Sequence, residues 1–328
     1  MRGVDLNLFQ FDWDMTWAAM FMNADQTIYA RYGSRASDRD HSGDLVSVAG
    51  LRACMERVLE LHAGYPGNKS LLDGKKGKPL KWRTTESIPN LSSRFKQTDL
   101  PKNCIHCHHV TMGLRREAAN AKRPIPDNLL WLYPLPDNIG VKIAIDDGRR
   151  VEAVTKGSPA EKAGVLAGDE IESLDGQAIT SPADIQWVLQ NLADQASPKA
   201  VVKRAAETKT LTLSLSGPWK HYDIAWRESL WDLRSGVVWV PLTDDERKNA
   251  GLTDKVLGLR AKFVGPQGNA KKGGFQQEDI LVEVDGKSTP MSEGELIVHL
   301  RQKYVPGSKV PMTILRGKKR VKVTLELS

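Results

Sequence analysis

The chain carries an internal repeat, and this constrains its fold more than any other feature. Ser158-Pro159-Ala160-Glu161-Lys162-Ala163-Gly164-Val165 returns about 110 residues later as Gly268-Asn269-Ala270-Lys271-Lys272-Gly273-Gly274-Phe275. Gly168-Asp169-Glu170-Ile171 and Asp175-Gly176 return in the same register as Glu278-Asp279-Ile280-Leu281 and Asp285-Gly286. Each copy continues into a helix-like segment, 183–192 and 293–301, and ends in alternating strands, 199–215 and 309–327. A long period present twice implies two like domains in one chain.

The local chemistry sets the type of domain. Pro159 suits the first position of a short helix, and Gly164 and Gly274 suit its left-handed end. Asp-Gly at 175–176 and 285–286 is the dipeptide of a tight hairpin turn. A small, mainly antiparallel β domain with one or two helices follows. The run Ser-Pro-Ala-x-x-Ala-Gly, then Gly-Asp-x-Ile, then Asp-Gly over 158–176 resembles the PDZ domain in its bacterial, HtrA-type arrangement. The second copy departs from it at Gly268-Asn269 and Glu278.

That resemblance implies peptide recognition by strand addition, with the ligand carboxylate held by a loop. In the first copy it assigns Asn138, Ile139, Gly140 and Val141 to the loop, Ile143 to the strand, and Ile185, Val188 and Leu189 to the facing helix. In the second it assigns Ser235, Gly236 and Val237 to the loop, Trp239 to the strand, and Leu296 and Leu300 to the helix, with a further helix after Thr243. Core packing is the competing reading for each apolar helix residue. Between the copies, Gly217–Leu233 carries Trp219, Trp226 and Trp231, aromatics suited to an interdomain contact or a partner site.

Upstream, Ala18–Met22 and Thr27–Tyr32 read as strands around the turn Asn23-Ala24-Asp25-Gln26, and Val46–His62 reads as a helix with Cys54 in its core face. Hairpin then helix resembles the C-terminal half of a thioredoxin fold, whose first half, with its Cys-x-x-Cys, is not in the sequence. The whole layout is similar to a bacterial thioredoxin-like/PDZ family with selenoprotein members. It implies that the chain begins inside a domain and that the redox residue lies upstream. Residues 65–101, rich in Gly, Pro, Lys and Ser, read as a linker.

Asn103-Cys104-Ile105-His106-Cys107-His108-His109 holds two of the three cysteines. Asn103 suits a helix N-cap, which places the cysteines in a first turn. Cys-x-x-Cys-His is the c-type haem pattern: Cys104 and Cys107 would bond the porphyrin vinyl groups and His108 the iron, with Met112 a candidate sixth ligand. Zinc on Cys104, Cys107, His106 and His109, a redox dithiol, and an incidental pair are the alternatives.

At 328 residues with net charge +7, the chain has room for several domains. Its basic runs adjoin glycines without aromatic platforms, which argues against nucleic acid. No window is long and apolar enough to span a bilayer, and Met1–Asp5 does not open a signal peptide.

The expected fold is α+β and multidomain: 1–64 half of a thioredoxin-like domain, 65–101 linker, 102–132 the Cys-x-x-Cys-His segment, 133–217 the first PDZ domain and 218–328 the second. The expected function is binding of C-termini or extended segments of other proteins, with a redox or haem c centre attached. The alternative is a cytochrome-like or thiol redox protein that its PDZ domains localise. No Gly-x-Ser-x-Gly or trypsin-like serine context marks a protease, and thioredoxin-like oxidoreductase chemistry would require the upstream half. Haem attachment implies a periplasmic or otherwise extracytoplasmic setting.

Overall fold

The computed structural model describes residues 1–15, 17–33, 45–94 and 104–328, without the side chains of 92–94. The Asn103 cap therefore lies outside the described residues. Two compact units emerge, 1–108 with 131–222, and 109–130 with 223–328. Among the described residues no helix is long and apolar enough to cross a membrane.

The first unit opens with a hairpin, β1 (Ala19–Met22) against β2 (Ile28–Tyr32), followed by α1 (Val48–Ala63). Ser47 caps α1 by accepting the Gly50 N–H at 2.9 Å. Every residue of β2 is buried. Cys54 lies in this core with its Sγ 3.4 Å from Thr180 Oγ1, and burial pushes its thiol up to about 12, so it behaves as an inert core residue. Residues 69–75 form two 3-10 turns, from which Leu72 and Lys75 are fully buried. The short α2 (Pro89–Arg94) ends the described part of this stretch, and α3 (Cys107–Asn120) follows it, belonging to the second unit from His109 on.

The first repeat completes the unit. β3 (Val141–Ile143) pairs with β4 (Val151–Val154), and α4 (Pro159–Ala163) follows. Next come β5 (Glu170–Leu174), β6 (Gln177–Ala178), α5 (Pro182–Asn191), β7 (Lys199–Arg204) and β8 (Glu207–Thr212), with strand order β6-β5-β7-β8. α4 is capped by Ser158 and ends at Gly164, φ +88°, as its sequence implies. Asp175 and Gly176 both have positive φ, the backbone of a two-residue hairpin turn.

The second unit repeats this plan around a separate core. β9 (Val237–Pro241), β10 (Leu259–Val264), β11 (Ile280–Val284), β12 (Lys309–Arg316) and β13 (Lys319–Glu326) form one antiparallel sheet in the order β13-β12-β11-β10-β9. Three helices join them: α6 (Asp244–Asn249) with a Thr243–Glu246 capping box, α7 (Asn269–Lys272) and α8 (Glu293–Lys303). Where the first copy has Gly168 at φ +89°, the second holds Glu278 at φ +69°, so the loop keeps its backbone shape despite the substitution. One feature common to both copies escaped the sequence reading. Arg204 donates to both carboxylate oxygens of Asp169 and to the Gly164 carbonyl, and Arg316 does the same to Asp279 and Gly274. A bidentate arginine thus pins the end of the small helix to the sheet in each copy.

Candidate peptide-binding grooves

In the first copy a 3-10 turn, Pro136–Ile139, leads to Gly140 at φ +86°. A Cβ there would sit 2.1 Å from the Ser158 Cβ, so only glycine fits. Thr155 donates its N–H to the Gly140 carbonyl at 2.9 Å, and β3 then departs along β4. Among the described residues β3 has a strand on one side only. Ile185, Val188 and Leu189 share one face of α5 by helical spacing. They join Ile139, Val141 and Ile143 in one cluster, and all six are 0–3% exposed. The residues assigned from sequence are thus together, but as covered core rather than as an open trough.

The cover comes from the chain itself. Trp219 belongs to the same cluster, and its indole N–H donates to the Asp194 carbonyl at 2.9 Å. Lys220 Nζ donates to the Leu192 carbonyl at the end of α5 at 2.7 Å. Asn138 Nδ2 donates to the carbonyls of Trp219 and His221, each at 3.0 Å. His221 stacks on Trp131 with ring centroids 4.1 Å apart, and the Tyr222 hydroxyl donates to the Leu132 carbonyl at 2.5 Å.

On its outer face α5 meets a buried charge cluster. Asp184 Oδ1 accepts from Lys75 Nζ at 2.8 Å and from the Arg31 N–H at 3.2 Å, while Oδ2 accepts from the Thr180 hydroxyl at 2.7 Å and N–H at 3.1 Å. The Arg31 guanidinium lies 3.6 Å from the Trp187 ring centroid. Burial pushes Arg31 down to about 10 and also lowers the Lys75 ammonium.

In the second copy the loop is Ser235, φ +52°, and Gly236, φ +87°, followed by β9, an edge strand. Val237, Trp239, Leu296 and Leu300 meet in one buried cluster. Arg301 holds the loop, donating to the Leu233 carbonyl and to Ser235 Oγ. Glu293, at the start of α8, accepts the Trp239 N–H at 3.0 Å and is bridged by Arg234 through Nε at 2.9 Å and Nη2 at 3.1 Å. A cavity of about 330 Å³ adjoins this loop, lined among others by Arg116, Trp231, Arg234, Gly236 and Phe263. Trp231 and Phe263 leave large exposed rings beside it, whereas Trp226 is buried.

At the cysteine pair, α3 begins at Cys107. Cys104 precedes the helix and is exposed, Cys107 is half-buried, and neither is joined in a disulfide. His106 and His108 stack with centroids 5.7 Å apart. Burial raises the Cys107 thiol, opposite to what an activated dithiol requires. His109 and Met112 are buried. His108 and Met112, one turn apart on α3, fall on one helix face, whereas two axial iron ligands need opposite faces of the porphyrin. Among the described residues no three His, Cys, Asp or Glu side chains converge as a metal site.

Residues 150–204 match the PDZ domain family, from just before β4 to the end of β7. Over 199 residues the chain is 26% identical to a probable periplasmic serine endoprotease, DegP-like, of Marinomonas sp. (strain MWYL1), covering 57% of this chain and 40% of that protein. The chain therefore spans less than half the length of that curated relative. Among solved structures, the HtrA3 PDZ domain bound to a phage-derived ligand aligns at 19% identity over 28% of this chain and 82% of that one, with a TM-score of 0.23. An HtrA-type protease, AlgW with a decapeptide, aligns at 16% identity over 50% of each chain, with a TM-score of 0.27.

Proposed function

We propose that this chain is a peptide-binding protein whose two PDZ-type grooves take C-terminal or extended segments of other proteins. One observation carries the reading. Each repeat presents an edge strand, β3 or β9, directly after a left-handed glycine loop and beside an apolar helix face. An unpaired strand edge offers backbone donors and acceptors to an added strand, and a loop of turned backbone N–H groups suits a carboxylate. The peptide ligands named for the HtrA-type structures support the same use here. The periplasmic relative supports an extracytoplasmic setting. The N-terminal hairpin and α1, in the order of a thioredoxin second half, serve this reading as a docking part.

The test is an amide-shift titration of the full chain with a heptapeptide ending in valine, as the free acid and as the amide. Free acid is expected to move amides at 138–143 or 235–239 and to bind about 10–100-fold tighter than amide, the worth of charged hydrogen bonds to one carboxylate. Equal binding of the two forms, or no shift at either loop, would overturn the reading.

The second part of the proposal is a haem c at the cysteine pair. Cys104 and Cys107, neither in a disulfide and one of them exposed, would supply two thioether bonds, with His108 on the iron. Such a haem would supply one-electron transfer. Expressed with cytochrome c maturation, the protein is expected to give a pyridine haemochrome that survives acid extraction and is lost in Cys104→Ala. An unchanged colourless protein removes the haem from the reading and leaves peptide binding standing.

A further inference from the structure

The segment Trp219–Tyr222 occupies the loop end of the first groove, and it does so with chemistry that a peptide terminus would use. Asn138 sits in the loop assigned to the ligand carboxylate. Its side-chain amide has two N–H donors, and both are spent on carbonyl oxygens of this segment, those of Trp219 and His221. Two oxygens presented to one amide are what a carboxylate would offer. Meanwhile Trp219 belongs to the buried cluster that includes Ile139, Val141, Ile185, Val188 and Leu189, and is itself only 8% exposed. Its N–H is satisfied by the Asp194 carbonyl, so the position accepts an indole without leaving a buried donor unpaired. Lys220 then fastens the segment to the end of α5.

We propose that Trp219–Tyr222 is an intramolecular stopper of the first groove, and that the outside ligand of that groove is a peptide ending in an aromatic residue. This rests on the peptide-binding reading above. The ligand's terminal ring replaces the Trp219 indole, and its carboxylate replaces the two carbonyls on Asn138. Because the groove binds only when the stopper has left, apparent affinity falls by the fraction of molecules with the stopper displaced. The second copy has its own occupant at the strand edge, the Glu293 carboxylate on the Trp239 N–H, and so serves as an internal control.

The experiment uses the full chain and a heptapeptide with a free C-terminal tryptophan, followed by amide shifts at 138–143 and at 235–239. Trp219→Ala is expected to tighten binding at 138–143 by at least tenfold and to leave 235–239 unchanged. Since emptying a core position can unfold the unit, Lys220→Ala combined with His221→Ala is run in parallel. It keeps the indole but removes the tie to Leu192 and the stack on Trp131, and is expected to tighten binding severalfold. Shifts at 138–143 with equal affinity in the wild type and in both variants would overturn the stopper and leave peptide binding intact. A heptapeptide ending in alanine that binds the variants as tightly as the tryptophan one would overturn the aromatic preference. No shift at either loop in any protein would overturn the peptide-binding reading, and the stopper with it.

Discussion

Replacing Asp184 by alanine is expected to destabilise the first unit by about 3–5 kcal/mol, the cost of removing one partner from a buried ion pair. Asp184 and Lys75 side chains are each 1% exposed, and their contact is 2.8 Å. The carboxylate also accepts from the Arg31 N–H and from Thr180. Without it the Lys75 ammonium stays buried beside the Arg31 guanidinium, with no anion to offset either desolvation. The pH dependence has a defined sign. Burial holds the Lys75 pKa below its ordinary value, so the folded variant binds fewer protons than the unfolded chain. Stability of Asp184→Ala should therefore rise as pH climbs from neutrality toward the ordinary lysine range. Combining it with Lys75→Met should recover part of the loss, because one of the two orphaned charges is removed while the Arg31 guanidinium stays. Urea unfolding monitored by circular dichroism reads both effects. A loss below about 1 kcal/mol would show that water reaches the site and that the pair does not join α5 to the N-terminal segment.

The Glu293→Ala substitution is expected to cost a similar amount, about 3–5 kcal/mol, in the second unit. It strands the Arg234 guanidinium, whose side chain is 4% exposed, and leaves the Trp239 N–H without its acceptor. Glu293→Gln keeps an acceptor for Trp239 but gives up the charge, so its loss should be the smaller of the two. The same denaturation measurement separates them. Equal losses for alanine and glutamine would mean that the charge, rather than the hydrogen bond at the strand edge, carries the interaction.

Much of the fold was legible because its signals are local. Pro159 and Gly164 bracket α4, Asp175-Gly176 and Asp285-Gly286 turn their hairpins, and Thr243 opens α6, each within a few residues of the feature it specifies. Candidate groove positions such as Ile143, Ile185 and Trp239 could be assigned through the resemblance to the PDZ domain, whose pattern each copy carries. The same spacing could not reveal whether those residues are open or covered. Ile185 is 1% exposed within a buried cluster that also includes Trp219, and nothing in the pattern of α5 encodes that. Gly74 and Lys75 looked like linker, yet the Gly74 carbonyl accepts the Trp187 indole N–H and Lys75 meets Asp184.

By itself the sequence determined the two-copy β architecture, its turns and caps, and the pair of loops that precede the edge strands. Short-range backbone preferences and apolar periodicity suffice for these, since each is settled within one or two turns of chain. Tertiary structure alone decided that Asp184 is shared by Arg31 and Lys75, that Glu293 accepts the Trp239 N–H of β9, and that Trp219 joins the buried cluster of the first repeat. Those are meetings between residues far apart in the chain. Their partners are chosen by desolvation and packing in the folded state, which no local spacing records.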